Sequence, residues 1–436
     1  MQFLLGLVVL VSTVLSVQAA YALYMMVYAW RKPDLDDLGR APDQLAAPAL
    51  SFTAIVPARH EEAVIARTLD RVVRSNYPAQ LLQVIVVCSA DDNGTIDQTA
   101  RRIADLKANG ITSVRLVVFD DGPISKPHAL NYALQYANSD VVAVFDAEDE
   151  IHPDIVNIVN TVMVNEGVKV VQAGVQLMNF WSSWYSVFNV LEYFFWFKSR
   201  LHHQARLGFL PLGGNTVFFS RELLDRIGGW DESNLTEDAE ISLRISSIGE
   251  RIRVIYDDRY VTKEETPPTF RQFITQRTRW SQGFMQTLRK GVWKQLPTRR
   301  QRALALYTLA FPHAQAWLAL YLPLALCMVF VVDAPMPVAM LSVVPVLFLF
   351  AHFLVAVVGL YEFADAHQMK VRPWTVVKMA VTWLPYQLVL SYAALRAFRR
   401  QVARRGEWEK TEHVGAHRTG SDAAAAGPAK EAEDVP

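Results

Sequence analysis

The chain has 436 residues, of which 52% are hydrophobic and 20% charged, and its 43 basic residues balance its 43 acidic residues. This zero net charge argues against a generic nucleic-acid-binding protein, which needs a basic surplus, and against a disordered polyelectrolyte. Two cysteines, Cys88 and Cys327, are too few for a disulfide framework or a cysteine zinc site, so we expect a reducing compartment or the bilayer.

The N-terminal region predicts a membrane helix. Residues 1–30 carry no charged side chain, which is enough for a spanning helix of about 20 residues. Arg31 and Lys32 follow at once, and this basic flank predicts that the next domain lies in the cytoplasm. A cleaved signal peptide is the alternative, although its basic start and short apolar run are missing. We therefore predict a transmembrane helix at 1–32 and a linker rich in proline, aspartate and alanine at 33–50.

From residue 51 the pattern changes to apolar runs that alternate with amphipathic segments. Four predicted strands and three predicted helices lie at 51–58, 62–75, 82–90, 99–109, 114–119, 128–137 and 140–147. Apolar strands separated by helices indicate an α/β, Rossmann-like domain with a mostly parallel sheet covered on both faces. Ligands of such sheets bind beyond the carboxyl ends of the strands, which is where acidic residues follow the runs of this chain.

Three apolar stretches after the α/β region predict α-helical membrane spans. Residues 303–332 and 337–361 carry no charge, and 376–395 carries one lysine. Five arginines at 396–405 argue for a cytoplasmic tail, whereas three crossings from the cytoplasm would end outside, so the orientation of the tail stays open. The predicted regions are a soluble domain at 51–265, amphipathic interface helices at 266–302, transmembrane helices at 303–395 and a basic, then disordered, tail at 396–436.

The sequence DAEDE, Asp146–Glu150, stands at the end of an apolar strand. Carboxylates two residues apart can both reach one divalent cation, and hard oxygen ligands suit Mg²⁺ or Mn²⁺ that bridges a diphosphate. The alternative is an acidic turn that caps the helix after Pro153.

The segment NLTEDAEISLRI at 234–245 supports two interpretations. Thr236 can cap a helix with Glu237 and Asp238 in its first turn, where acids complement the helix dipole. The functional alternative is a carboxylate base that takes a proton from an attacking hydroxyl group.

A basic segment at 271–302 holds nine basic residues and no acid, and it contains the sequence QRTRW. Arg277 and Arg279 are donors suited to phosphate oxygens, and Trp280 offers a flat face on which sugars stack. The alternative is an amphipathic helix on the membrane surface, and both can hold at once.

Three further signals are weaker when taken alone. The glycines of GGNT, Gly213 and Gly214, permit close backbone approach to a ligand. Lys126 in SKPHAL is a single lysine, which is usually a surface residue. The aromatic stretch Phe180–Phe197 predicts a helix packed between the soluble domain and the membrane rather than an acceptor-binding segment.

In their order, these motifs resemble the membrane-bound family 2 glycosyltransferases, which include cellulose, hyaluronan and poly-N-acetylglucosamine synthases. The resemblance covers about residues 51–412 and includes WEKTEH after the last apolar stretch. It implies a cytosolic GT-A fold, a nucleoside diphosphate sugar as donor, most often a UDP-sugar, and an integral protein of the cytoplasmic membrane.

The resemblance also implies roles for individual residues. Asp238 is the expected general base, with Glu237 beside it, and Asp91 or Asp92 is expected to contact the nucleotide base. Asp146 and Glu148 take the two positions of the metal-binding D-x-D motif, and Asp149 is the alternative to Glu148. The expected diphosphate and donor ligands are Lys126, Gln276, Arg277 and Arg279, and the expected acceptor ligands are Trp280, Gly213, Gly214 and Asn215.

One base without a covalent nucleophile predicts a single displacement with inversion, which gives a β-linkage from an α-linked donor. We expect elongation of a β-linked polysaccharide at the membrane with coupled export. The first alternative is a non-processive enzyme that adds one sugar to a lipid or lipid-linked acceptor. A scaffold with a decayed enzyme domain is the second alternative, and the intact carboxylates and QRTRW argue against it.

Overall fold

The computed structural model describes residues 2–31, 39–330 and 335–404, together with Glu409 and Gly415. The first part of the predicted linker, 33–38, and almost all of the predicted tail beyond residue 404 lie outside the described residues.

A seven-stranded sheet forms the centre of the α/β region, in the order β3-β2-β1-β4-β7-β5-β8, and β6 pairs with β9 in a second, two-stranded sheet. The strands are β1 (Phe52–Pro57), β2 (Leu82–Ser89), β3 (Val114–Phe119), β4 (Val141–Val144), β5 (Val170–Ala173), β6 (Val175–Leu177), β7 (Val217–Ser220), β8 (Ile252–Ile255) and β9 (Thr262–Glu264). All neighbouring strands of the large sheet run parallel except β7, which is antiparallel to both β4 and β5. The prediction of a mostly parallel α/β sheet is therefore confirmed.

Helices cover both faces of the sheet and continue into a long helical region. They are α1 (Gln2–Met26), α2 (Tyr28–Arg31), α3 (Ile65–Val73), α4 (Asn93–Ala108), α5 (Lys126–Leu134), α6 (Ile155–Glu166), α7 (Ser186–Phe195), α8 (Leu201–Leu207), α9 (Arg221–Ile227), α10 (Glu237–Ser247), α11 (Phe270–Lys290), α12 (Arg299–Phe330), α13 (Met336–Ala366) and α14 (Pro373–Val402). One boundary differs clearly from the sequence prediction. Helix α4 begins six residues before the predicted start at 99 because the Asp92 side chain caps it by accepting a hydrogen bond from Thr95 N.

The apolar runs of the central strands are buried because helices cover the sheet on both sides. Ile55 and Val56 face opposite sides of β1 and lie in two different hydrophobic clusters. The first cluster extends through α7 to α13 and α14, where Phe188 contacts Tyr386 and Phe194 contacts Phe363. Helix α7 therefore joins the α/β region to the long apolar helices.

Two described helices are long and apolar enough to cross a membrane: the segment Leu5–Met26 within α1, and α13. They pack against each other. Helices α12 and α14 contain the other two stretches that the sequence predicts as spans, and they pack against one another. Helix α14 also packs against α11, so the QRTRW segment lies directly beside the helical region.

Candidate active site

The first cavity, with a volume of about 160 Å³, opens where the parallel strands end. Pro57, Ser89 and Phe119 are the last residues of β1, β2 and β3, and all three line it. Residues that follow these and the neighbouring strands, such as Arg59 after β1, Lys126 after β3 and Asp146 after β4, supply much of the charged part of its wall. This position is the one expected for a ligand site in an α/β sheet.

Three carboxylates meet in the first cavity. Asp146 and Glu148 follow β4, Glu264 ends β9, and ligand oxygens of the three lie within 4.8 Å of one another. Such a set of oxygen ligands fits a hard divalent cation. Sequence reasoning missed Glu264, because its strand pairs only with β6 in the small sheet. The alternative that DAEDE caps the following helix is not what the structure shows, since the N-cap residue of α6 is Asp154.

Asp149 lies beneath this cluster and is fully buried. It accepts hydrogen bonds from Asp146 N at 2.8 Å and from Asn215 Nδ2 at 2.9 Å. The same amide group of Asn215 donates to Glu264 Oε1 at 2.9 Å. Burial, with the charge of Asp146, raises the pKa of Asp149 well above its ordinary value. Asp149 and Asn215 thus hold two of the three carboxylate-bearing segments in place.

Lys126 is the cation nearest to these acids. Its ammonium group forms an ion pair with Asp146 and donates to Gly214 O at 3.1 Å. Burial opposes the charged form, but the carboxylates of Asp146 and Glu237 raise the pKa of Lys126 above its ordinary value. Lys126 is therefore a protonated part of the site and not a surface lysine.

Glu237 and Asp238 begin α10 and face the first cavity. Burial, followed by the charge of Asp238, raises the pKa of Glu237 to about 7. Burial also raises the pKa of Asp238, against the hydrogen bond from Ala239 N and the charges of Lys126 and Arg279.

Thr236 and the glycines of GGNT lie next to Asp238. Thr236 is the N-cap residue, but the expectation that its side chain caps α10 is wrong, because its hydroxyl lies 3.4 Å from Asn234 Oδ1 instead. Gly214 adopts φ +80°, and a Cβ there would lie 2.8 Å from Asp238 Oδ2. Gly213 donates its N–H to Gln172 Oε1 at 2.7 Å. Glycine at 214 is thus required for the close approach to Asp238.

Helix α11 brings one face of QRTRW to the site. Gln276, Arg279 and Trp280 are three and four residues apart, share that face and line the first cavity. Oε1 of Gln276 is buried and has no partner among the described residues, so it is available to a ligand. Arg277 points elsewhere: it pairs with Glu192 Oε2 at 2.5 Å and its guanidinium lies 4.7 Å from the centre of the Trp280 ring.

The structure does not bring Asp91 and Asp92 to the lining of the first cavity. Asp92 accepts hydrogen bonds from His60 N at 2.5 Å and Thr95 N at 3.2 Å, which explains its burial as a helix cap. Asp91 is half-exposed and pairs with Arg59 at 3.2 Å. Arg59 does line the cavity, so Asp91 orients a lining residue.

A second cavity, with a volume of about 240 Å³, also has Asp238 in its wall. Asp238 and Trp280 line both cavities. The remaining wall of the second cavity is mostly apolar and includes Phe284, Phe311 and Leu390 from the long helices. The carboxylate of Asp238 therefore belongs to the walls of both the polar first cavity and the mostly apolar second cavity.

The packing of α11 against Thr236 gives a first prediction. A Cβ at Gly283 would lie 2.5 Å from Thr236 Oγ1 and 2.8 Å from Thr236 N, so Gly283→Ala must push α11 away from the start of α10. We expect a loss of about 1–3 kcal/mol in the free energy of unfolding, as for other overpacked sites, measured by thermal or denaturant unfolding. Gly94→Ala is the control, because its Cβ would meet nothing closer than Glu62 Cδ at 3.5 Å. Equal stability of the two variants would contradict this packing.

Similarity to known proteins identifies the type of fold and the family of this chain. The sheet is mostly parallel and carboxylates lie beyond its strand ends, where ligands of such α/β folds bind. The mannosyltransferase PcManGT from Pyrobaculum calidifontis, whose structure was determined in complex with GDP-Man and Mn²⁺, aligns with a TM-score of 0.58 and 20% identity, over 91% of this chain and 99% of that chain. This likeness confirms the GT-A type of fold.

Residues 48–283, more than half of the chain, match the family described as "Glycosyltransferase like family 2". The chain belongs to this family and is a transferase, which confirms the resemblance.

Two relatives show how far the similarity extends. The probable glycosyltransferase YdaM of Bacillus subtilis is 24% identical over 84% of this chain and 88% of its own length. A beta-monoglucosyldiacylglycerol synthase of Nostoc sp. is 29% identical over 54% of this chain and 49% of its own length. The matched region thus spans about half the length of the second relative.

Proposed function

We propose that the protein is an inverting glycosyltransferase that moves a sugar from a nucleoside diphosphate sugar, most simply a UDP-sugar, to a hydroxyl group of a lipid or lipid-linked acceptor. The observation that carries the proposal is the position of Asp238, which lines both the polar first cavity and the apolar second cavity. The donor then occupies the first cavity, and the acceptor approaches Asp238 from the second.

Asp238 is the proposed general base. Burial raises its pKa, which increases its affinity for a proton, while Lys126 and Arg279 keep its ionised form accessible. Burial, followed by the charge of Asp238, raises the pKa of the neighbouring Glu237 to about 7, so the two carboxyl groups compete for protons close to neutral pH. The acceptor hydroxyl gives its proton to Asp238 as its oxygen bonds to the anomeric carbon and the bond to the diphosphate breaks. One displacement from the opposite face inverts the configuration.

The leaving diphosphate needs positive charge and donors. Lys126 and Arg279 line the first cavity and supply positive charge, and Oε1 of Gln276 can accept a hydrogen bond from a hydroxyl group of the donor. Asp146, Glu148 and Glu264 would hold Mg²⁺ or Mn²⁺, with Asp149 and Asn215 orienting them. When bound, such a cation stabilises the negative charge that develops on the diphosphate.

We also propose that the protein is integral to the cytoplasmic membrane with its catalytic domain in the cytosol. Two helices have the required length and apolar composition, and the basic residues of α11 lie beside the helical region. Trp280 at the boundary of the two cavities then offers a stacking face to the acceptor sugar, and Gly213 lines the same boundary.

Successive transfer that builds a β-linked polysaccharide with coupled export is a second candidate. The observation that favours it is a third cavity among α1, α7, α13 and α14, which shares Glu192, Arg200 and Phe311 with the second cavity. A chain that grows at Asp238 would have a route between the helices through these connected spaces. The length of the labelled product separates the two candidates.

Donor binding provides the direct test of the proposed function. Purified protein with Mg²⁺ or Mn²⁺ should be stabilised in a thermal-shift panel of UDP-glucose, UDP-N-acetylglucosamine and GDP-mannose by at least one donor, because a ligand that binds only the folded state raises its melting temperature. The same donor should be consumed with release of its nucleoside diphosphate. Absence of both stabilisation and turnover across the panel would refute the proposal, and a nucleoside monophosphate is the control ligand.

A further inference from the structure

A π-helical turn, Trp196–Arg200, joins α7 to α8. Leu201 N donates to Trp196 O across this turn, which is the five-residue spacing of a π-helix. Such turns are rare and occur often at functional sites, because the extra residue redirects the side chains that follow. Here the turn places Trp196, Phe197 and Arg200 in the wall of the second cavity.

Arg200 is a cation that has no ionic partner among the described residues. Its buried Nε has no hydrogen-bond partner, and the guanidinium forms no ion pair within the described part of the chain. The guanidinium carbon of Arg200 lies 5.4 Å from the centre of the Phe311 ring. The nearby Arg277 is different, since Glu192 pairs with it at 2.5 Å.

The charges around Arg200 leave one positive charge unmatched. The carboxylate of Glu192 is taken by Arg277 and by Tyr386 Oη, which donates to Oε1 at 2.9 Å. Asp238 is the other acid in the wall of the second cavity, and the charges that lower its pKa are those of Lys126 and Arg279 rather than that of Arg200. A guanidinium held in an apolar setting is costly unless an anion accompanies it. The unmatched charge therefore indicates an anionic ligand in this cavity.

The walls of the cavity indicate the rest of that ligand. Phe284, Pro312 and Leu390 give the second cavity an apolar surface. Arg200 also lines the third cavity, which continues past Leu349 between the apolar helices. These walls suit hydrocarbon, whereas the hydroxyl groups of an anionic glycan would lose their hydration without new hydrogen bonds.

We infer that Arg200 binds the phosphate group of a phosphate-bearing lipid that serves as acceptor, with the hydrocarbon chains of the lipid in the second and third cavities. This inference rests on the proposed function and names the acceptor class for the same site. Arg200 is then an acceptor-binding residue that decides which lipids receive the sugar. The phosphate forms charge-assisted hydrogen bonds with the guanidinium, and the free hydroxyl of the lipid reaches Asp238.

The test compares two lipids that differ in phosphate. Purified full-length protein in a polyoxyethylene detergent receives phosphatidylglycerol or diacylglycerol, with the labelled donor that stabilises it in the panel above. We expect kcat/KM for phosphatidylglycerol to exceed that for diacylglycerol by about tenfold or more, as for one charge-assisted contact. Arg200→Gln should reduce this ratio to near one by raising KM for phosphatidylglycerol, and Arg200→Lys should restore part of it. Thermal stabilisation by the donor should persist in both variants.

The matched control is Arg206→Gln, since Arg206 is an exposed arginine on α8 whose Nη1 donates to Tyr28 Oη at 3.5 Å. It should keep the preference for phosphatidylglycerol. The inference is overturned if the wild-type protein shows no preference, if Arg200→Gln retains it, or if free inorganic phosphate raises transfer to diacylglycerol as much as the lipid phosphate does. Label in a water-soluble polymer that depends on Arg200 but not on added lipid would also overturn it, in favour of an anionic glycan. A wild-type protein that binds and consumes no donor refutes the proposed function instead.

Discussion

Replacing Asp238 by asparagine should lower the rate of sugar transfer by about 10²–10⁴-fold, the usual contribution of a positioned general base. Asparagine keeps the shape of the side chain and can still accept the hydrogen bond from Ala239 N, which spans 2.7 Å in the wild-type protein. It cannot accept a proton from the acceptor hydroxyl. The dissociation constant of the nucleotide, measured by calorimetry with Mg²⁺ or Mn²⁺, should stay within about threefold of the wild-type value, which is under 1 kcal/mol.

The control for this variant is Asp105→Asn, because Asp105 is exposed on α4 and pairs with Arg102 at 3.5 Å. It should transfer sugar at the wild-type rate, since exposed ion pairs contribute little to stability. Full activity of Asp238→Asn would rule out Asp238 as the base. If instead nucleotide binding and transfer disappear together, Asp238 supports the site structurally and the base lies elsewhere.

Electrostatics explain why Asp238 and Glu237 can differ in role although they are neighbours. Both are held at the start of α10, where burial raises the pKa of each carboxyl group. The two groups repel one another when both are ionised, so the protonation of Glu237 eases the ionisation of Asp238. Lys126 and Arg279 lower the pKa of both carboxyl groups and thereby favour a negative charge at the start of α10.

The sequence predicted the first half of the sheet better than the second. Strands β1 to β4 are apolar runs separated by helices, and burial on both faces leaves that pattern visible in the sequence. Strands β5, β7 and β8 have four residues each, as β4 has, but polar residues such as Gln172 in β5 and Arg253 in β8 interrupt their apolar runs, so periodicity does not identify them. The insertion of β7 between β4 and β5, antiparallel to both, depends on contacts that are distant in the chain.

In the site too, contacts within one helix can be predicted from the sequence, whereas contacts between segments that are far apart in the chain cannot. Helical spacing places Gln276, Arg279 and Trp280 on one face and turns Arg277 away, and that could have been read from the sequence. The position of Glu264 beside Asp146 could not, because it depends on how the small sheet sits against the large one. Two acids that are far apart in the chain come close together only through the fold, which the sequence pattern does not reveal.

Removal of the metal should stop sugar transfer and lower the free energy of unfolding of the protein. The carboxylates of Asp146, Glu148 and Glu264 lie close together, so their negative charges repel one another. Burial, followed by the charges of Asp149 and Glu148, raises the pKa of Glu264 well above its ordinary value. The metal-free folded protein therefore holds more protons than the unfolded chain at a pH above the ordinary carboxyl pKa. Its free energy of unfolding should fall as the pH rises from there towards the raised pKa.

A divalent cation reverses this trend, because it binds the ionised carboxylates and displaces the protons. We expect the increase in melting temperature on adding Mn²⁺ or Mg²⁺ to chelated protein to be larger at pH 8 than at pH 5.5, and excess EDTA to abolish transfer at both. Glu264→Gln should lose the metal-induced increase and the transfer together, whereas Glu222→Gln, an exposed acid on α9, should keep both. Activity in excess EDTA, or a metal effect that declines as the pH rises, would exclude this carboxylate cluster as a cation site.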